Sequence, residues 1–189
     1  TKIALEDVAY VRNYGGVIKL LGRAKRLDNG KISAMVSPAV VMDGSQLASV
    51  RDVFNAILVR GDAIGAVVFY GKGAGKLPTA SAVVADVIDC AKHVGRKKAF
   101  GWGPSEEDYV VDYKTLPTSL YVRASVADKA AALENVEAKF GKVRVLTRDN
   151  APETEFAFVT GEDAEQTLCD KLTEIPGLTV LSSIRITDY

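Results

Sequence analysis

Apolar positions recur along this chain in two rhythms, and the switches between them mark out its elements. Ala80, Val83, Val84, Val87, Ile88 and Ala91 fall at helical spacing, with Asp86, Asp89 and Lys92 off the stripe. This predicts an amphipathic helix stopped by Gly95. Leu5, Val8, Ala9 and Arg12 trace one face of an earlier helix that Gly15-Gly16 would end. Val17 to Arg26 and Lys31 to Val41 read as two strands joined at Asp28-Asn29-Gly30, a hairpin turn signal, with Pro38 marking an edge or a bulge. Asp43-Gly44-Ser45 reads as a loop. Val53 to Arg60 and Ile64 to Tyr70 form a second hairpin around Gly61-Asp62. Nearly every residue of that hairpin is apolar, which predicts burial on both faces, against helices or against a partner's sheet.

A different pattern begins at Thr118. Leu120, Val122, Ala124 and Val126 alternate as a strand, and Asp128 can cap a helix in which Leu133, Val136 and Phe140 share a face, ended by Gly141. Val143 to Thr147 and Glu155 to Thr160 read as strands on either side of Pro152. Ala164, Leu168, Leu172 and Ile175 mark a second helix, closed by Pro176-Gly177, and Leu178 to Thr187 is a last strand. The order is β-α-β-β-α-β, predicting a two-layer sandwich of antiparallel sheet and helices. Residues 99–117, with Gly101, Gly103, Pro104, Pro117 and the acidic run Glu106-Glu107-Asp108, read as a linker with solvated charge. The basic run Arg96-Lys97-Lys98 reads as a solvated turn.

The stretch that joins strand to helix is Phe69-Tyr70-Gly71-Lys72-Gly73-Ala74-Gly75-Lys76-Leu77-Pro78-Thr79. Its glycines permit backbone angles closed to other residues and close approach by another group. Pro78 suits the first turn of a helix. Such a turn can hold an anion at the free N–H groups of the helix, or can simply be a tight connector. Known nucleotide motifs do not fit. Lys76 stands where the dinucleotide fingerprint needs glycine, and Tyr70 and Leu77 stand where a P-loop needs glycine and a hydroxyl.

Composition narrows the chemistry further. The 189 residues suit one or two domains, and 48% are apolar. Twenty-four basic residues balance twenty-four acidic ones, so neither nucleic acid nor an anionic membrane is implied as a partner. No apolar run approaches the roughly 20 residues of a membrane span, and no signal peptide is visible. Cys90 and Cys169 are far apart, the reading expected of free thiols in a cytoplasmic protein. His93 is the only histidine, at a predicted helix end where it would compensate the dipole. One histidine and two distant cysteines do not make a zinc site or a nucleophile–base pair, so no catalytic or metal-binding residue is assigned.

Several motifs together resemble the C-terminal part of homoserine dehydrogenase. They are Tyr14-Gly15-Gly16-Val17-Ile18-Lys19-Leu20-Leu21-Gly22 with Ala24 and Arg26, then Val36-x-Pro38, Val53-Phe54-Asn55-Ala56, Gly61-Asp62-Ala63-Ile64-Gly65, and Phe69-Tyr70-Gly71-x-Gly73-Ala74-Gly75-x-x-Pro78-Thr79-Ala80-Ser81-Ala82-Val83. The resemblance is dense over residues 5 to 94 and weak beyond. It implies an α+β chain. Residues 1–98 would be the C-terminal part of a catalytic and dimerisation domain, a mixed or antiparallel sheet with covering helices, 99–117 a linker, and 118–189 an ACT-like (ferredoxin-like) regulatory domain.

The resemblance also implies an oxidoreductase that interconverts L-aspartate 4-semialdehyde and L-homoserine in threonine, methionine and isoleucine biosynthesis, with NADP or NAD as cofactor. Gly75 matches the family glycine that approaches the nicotinamide cofactor, with Gly73 and Ala74 beside it. The family's nucleotide-binding domain and its catalytic lysine have no counterpart here, and the chain enters a helical pattern almost at once after Thr1. The expectation is therefore a piece of a longer polypeptide, inactive alone. A homodimer or higher homo-oligomer is implied by the apolar hairpin, and threonine is the implied effector. At the effector position of ACT domains this chain has Ser125-Val126-Ala127-Asp128, with no glycine and a repelling charge. The rival expectation is a stand-alone ACT-type protein that senses an amino acid.

Overall fold

The computed structural model describes residues 2–96, 101, 103–104 and 107–187. Lys97 and Lys98 of the basic run and Glu106 of the acidic run lie outside the described residues. The chain divides into two compact units, Thr1–Ala48 with Asp108–Tyr189, and Ser49–Glu107.

In the first unit, helix α1 (Leu5–Tyr14) is opened by the Ala4 amide, which donates to Asp7 Oδ2 at 2.8 Å, and closed by Gly15 at φ 92°. Its buried face is Asp7, Tyr10 and Val11. The expected face of Leu5, Val8, Ala9 and Arg12 is the wrong one: Leu5 is 84% exposed. A polar residue can lead a buried face when each of its oxygens finds a donor, and hydrophobicity alone does not reveal that. Strands β1 (Gly16–Arg26) and β2 (Ile32–Met42) pair antiparallel from Gly16↔Met42 to Arg26↔Ile32. The predicted turn closes them, with Gly30 at φ +80° and its amide donating to the Leu27 carbonyl at 2.8 Å. Pro38 lies where β2 has no ladder partner opposite β1: the second neighbour starts at Ala39, and a lone bridge to Val110 ends at Ile32. A residue without an N–H is tolerated in that gap.

The rest of this unit is β5 (Pro117–Ser125), α3 (Lys129–Phe140), β6 (Arg144–Leu146), β7 (Glu155–Val159), the two-residue β8 (Asp163–Ala164), α4 (Glu165–Thr173) and β9 (Thr179–Thr187). The predicted β-α-β-β-α-β order is present, with β8 as a small addition pairing β5. The sheet runs β1-β2-β9-β5-β7-β6. β2 and β9 pair parallel whereas the other strand pairs of the described residues are antiparallel, so the sheet is mixed. The first 48 residues and the last 70 or so thus share one sheet; of the two divisions by compactness, 107/108 falls inside the expected linker 99–117 and 48/49 within the expected first domain.

Period-2 alternation in β5 gives this sheet two different faces. Leu120 and Val122 join Phe156 and Phe158 of β7 under Val136 of α3 and Leu168 and Leu172 of α4. Tyr121 faces the other way and clusters with Tyr10 and Val11 of α1, Val40 and Ile184. The expected two-layer module therefore has a third layer, α1, on the sheet face away from α3 and α4. Asp128 caps α3 as expected, accepting from the Ala130 and Ala131 amides at 2.8 and 3.3 Å.

The second unit holds β3 (Phe54–Gly61), β4 (Gly65–Lys72) and α2 (Lys76–Lys92). The hairpin pairs from Phe54↔Lys72 to Gly61↔Gly65, with Phe54 and Tyr70 rings stacked 4.9 Å apart. Its predicted burial on both faces is not found within the chain: Ile57 is 65% and Phe69 62% exposed. Helix α2 forms where expected, yet has no buried residue. Two strands and one helix offer too little surface to cover three apolar faces. Among the described residues, no helix is long and apolar enough to cross a membrane.

Phe158→Ala should destabilise the first unit by about 3–5 kcal/mol in urea unfolding. Leu5→Ala, on the face wrongly expected to be buried, should stay within about 0.5 kcal/mol of the parent.

Candidate functional site

The glycine turn lies between β4 and α2, and residues 71–77 are exposed. Gly75 is the residue before the helix, with φ 120° and ψ 153°, a conformation that side chains disfavour. Its carbonyl accepts the first helical hydrogen bond, from Thr79 at 3.1 Å. Pro78 has no N–H to offer, so the free donors of the first turn are those of Lys76 and Leu77. A Cβ on Gly75 would meet only Pro78, at 3.5 Å and beyond, so the outer side of the turn is open. At Gly73, the ideal Cβ position lies 1.6 Å from Nδ2 of Asn55. Gly73, Ala74 and Gly75 are therefore neighbours on one exposed turn, open at Gly75 and covered by the Asn55 side chain at Gly73.

A second constellation escaped the reading of the sequence. The Asp7 carboxylate, fully buried, accepts from Arg123 Nε at 2.7 Å, Tyr121 Oη at 3.0 Å and Ser182 Oγ at 2.5 Å. Arg123 Nη1 also donates to Glu155 Oε2 at 3.0 Å. Glu155 Oε1 takes a bond from Tyr10 Oη at 3.1 Å and from Arg148 Nε at 2.8 Å. Two carboxylates meet two guanidiniums, so the charge balances. Among the described residues no buried side-chain N or O lacks a hydrogen-bond partner.

Burial alone would raise the Asp7 carboxyl, but the bonds from Arg123 and Ser182 outweigh it and hold its pKa below the ordinary 3.8. Glu155 behaves alike: burial raises it, and bonds from Arg148, Arg123 and Tyr10 bring it below 4.5. Burial, then the Glu155 charge, pushes the Tyr10 phenol up to about 12. Every ionisable group in this cluster is paired within the fold, the arrangement of a structural ion-pair network. The only signal in the sequence was the placing of an aspartate and a tyrosine three apart on α1, which is too common to single out.

The remaining candidates are quiet. His93 closes α2, with Nδ1 2.8 Å from the Asp89 carbonyl oxygen. Cys90 is exposed; Cys169 is half-buried, and burial raises its thiol pKa.

A family model described as homoserine dehydrogenase matches residues 1–88, a span that includes Gly73, Ala74 and Gly75. The homoserine dehydrogenase of Mycobacterium bovis is 39% identical over 154 residues, 77% of this chain and 34% of the relative. That of Bacillus subtilis is 27% identical over 197 residues, 99% of this chain and 45% of the relative. The crystal structure of a homoserine dehydrogenase from Thiobacillus denitrificans superposes over 97% of this chain and 45% of that one, with a TM-score of 0.81 at 27% identity. The chain is thus similar to homoserine dehydrogenases along nearly all of its length, and residues 1–88 match that family. It spans between about a third and a half of the length of the relatives it matches. The homoserine dehydrogenase match ends at residue 88, inside the second compact unit, whereas the first unit draws on both ends of the chain.

The buried ionic cluster makes stability depend on pH with a definite sign. The unfolded carboxylates bind protons near their ordinary 3.8 and 4.5, the folded ones only at lower pH. Their stabilisation is complete above those values and is lost as pH falls through the folded pKa values. On the alkaline side, unfolded Tyr10 ionises near 10 and folded Tyr10 near 12, so stability falls again between them. Melting temperatures should be flat near neutrality and drop on both flanks. Asp7→Ala, which leaves Arg123 with Glu155 as its remaining partner, should cost about 3–5 kcal/mol and flatten the acid flank.

Proposed function

We propose that this chain is the C-terminal part of a homoserine dehydrogenase that interconverts L-aspartate 4-semialdehyde and L-homoserine. The exposed, strained Gly75 at the head of α2, within the segment that matches the family, is the observation that carries this reading. NADP or NAD supplies the hydride chemistry when bound. Gly75 gives that cofactor a stretch of backbone with no side chain of its own, with Gly73 and Ala74 beside it. No residue of this chain is assigned a catalytic role. Binding of the nucleotide and proton transfer belong to the remaining part of the enzyme, in keeping with the fraction of its relatives that the chain spans.

The second unit gives the proposal its quaternary side. Apolar residues on α2 and on both faces of the β3–β4 hairpin stay exposed in one chain, the pattern of a surface covered by a second copy. Residues 117–187 act as an ACT-like module. The support is their β-α-β-β-α-β order and the strand sequence β9-β5-β7-β6, which puts the fourth strand beside the first, and the third beside the second. Their role is structural at the usual effector position, because Asp128 itself occupies the amides of Ala130 and Ala131 that would meet a threonine carboxylate.

Joined in one polypeptide to the rest of a homoserine dehydrogenase, its nucleotide-binding domain and catalytic lysine included, the chain should restore homoserine-dependent cofactor reduction; failure of a folded fusion to do so overturns the reading. Gly75→Val in that fusion should weaken cofactor binding about ten-fold or more, since a branched residue both strains φ and blocks approach. The 189-residue chain alone should show no micromolar NADPH binding by calorimetry. In sedimentation at tens of micromolar it should run as a dimer or larger, and a monomer there would refute the pairing.

A further inference from the structure

Gly73 and Gly75 lie two residues apart and are glycines for different reasons. Gly75 has a positive φ, so its conformation demands the residue. Gly73 is not among the glycines with positive φ, so left-handed backbone is not its reason. What a side chain at 73 would meet is the Asn55 side chain, which would have to move. The ideal Cβ would lie 1.6 Å from Asn55 Nδ2, 2.7 Å from its Cγ and 3.3 Å from its Cβ. The Asn55 carboxamide occupies the volume that the residue at 73 gives up.

The strand register explains how it gets there. Asn55 stands opposite Gly71 in the β3–β4 ladder, and a Cβ added at Gly71 would meet nothing within 4 Å. With no side chain at 71, Asn55 leans across to the next position on the same face, which is 73. On the strand's other face Phe54 stacks with Tyr70, and the Lys72 ammonium lies 5.9 Å from the Phe54 ring centroid. The carboxamide is thus a planar buttress laid on the backbone at the start of the turn. Two residues later that backbone reaches Gly75.

We propose that Asn55 is a positioning residue for the cofactor-facing turn: its carboxamide, seated on Gly73, sets the path of Gly73-Ala74-Gly75. This rests on the cofactor role proposed above for that turn. It goes further in naming a residue on the preceding hairpin that fixes the turn without touching the reacting atoms. The shape of the contact implies coupling. A methyl at 73 must expel the amide, and loss of the amide leaves a gap that a methyl at 73 would fill.

The test is a double-mutant cycle of Asn55→Ala and Gly73→Ala in the same fusion, read by NADPH fluorescence titration and by steady-state kinetics. Each single variant should raise the cofactor Kd and KM on the order of 10-fold while leaving the KM for homoserine unchanged, because a small misplacement of a contact is costly. The double variant should recover most of that loss. In parallel, amide hydrogen exchange on the unmodified 189-residue chain and its variants reads the turn without any cofactor. Exchange at Ala74–Thr79 should quicken in either single variant and return toward the parent in the double. Additive effects in both measurements, or unchanged Kd in Asn55→Ala, overturn the inference. A fusion that binds no cofactor even with Asn55 and Gly73 intact removes the cofactor reading, and the exchange cycle then decides the Asn55–Gly73 coupling by itself.

Discussion

The Asp7 carboxylate is the point through which the first unit is assembled. It is buried on a helix near the start of the chain and held by an arginine 116 residues later and a serine 175 residues later. Desolvating a carboxylate is costly, and only a full set of donors offsets it. Those donors, Arg123, Tyr121 and Ser182, stand on β5 and β9, and Arg123 reaches on to Glu155 of β7. Three strands are therefore fixed beneath one helix. The burial of Tyr10 and Val11 adds an apolar contribution without direction; the ionic contacts supply the register.

This arrangement explains why the sheet runs through regions far apart in sequence. In β5, the residues of one face feed an apolar core under α3 and α4, while Tyr121 and Arg123 on the other face meet α1. A module that could have stood alone as two layers instead takes its third layer from the first fourteen residues. The parallel pairing of β2 with β9 at Ala39–Val41 ties the β1–β2 hairpin to the same sheet.

The second unit shows the opposite condition. Its hairpin is regular, with the Phe54–Tyr70 stack across it, and its helix well formed, but α2 has no buried residue. Local structure there is ahead of packing. The turn between them has its own logic, in which one glycine answers to backbone conformation and the other to an amide resting on it. Function, on the reading proposed, lies on the element least able to support itself, so a partner surface would stabilise and complete it together.

The elements themselves were legible from the residues: period and punctuation located α1, α2, α3, α4 and the main strands, because helix and strand spacing and turn glycines are local properties. Gly73, Ala74 and Gly75 were legible as a turn, and motif resemblance singled them out. The buried face of α1 was not, because a charged residue declares its burial only through donors that arrive from elsewhere in the chain. Nor was the joining of residues 1–48 to 117–187, which depends on β2 pairing β9 and on Asp7 meeting Arg123. The covering of the β3–β4 hairpin was legible as a need but not as a fact, since apolar composition says that a surface should be buried and never by what. By itself the sequence determined which segments are helix, strand and turn, as these follow from neighbouring residues; only the tertiary structure decided which face turns inward, since that is settled by partners more than a hundred residues away.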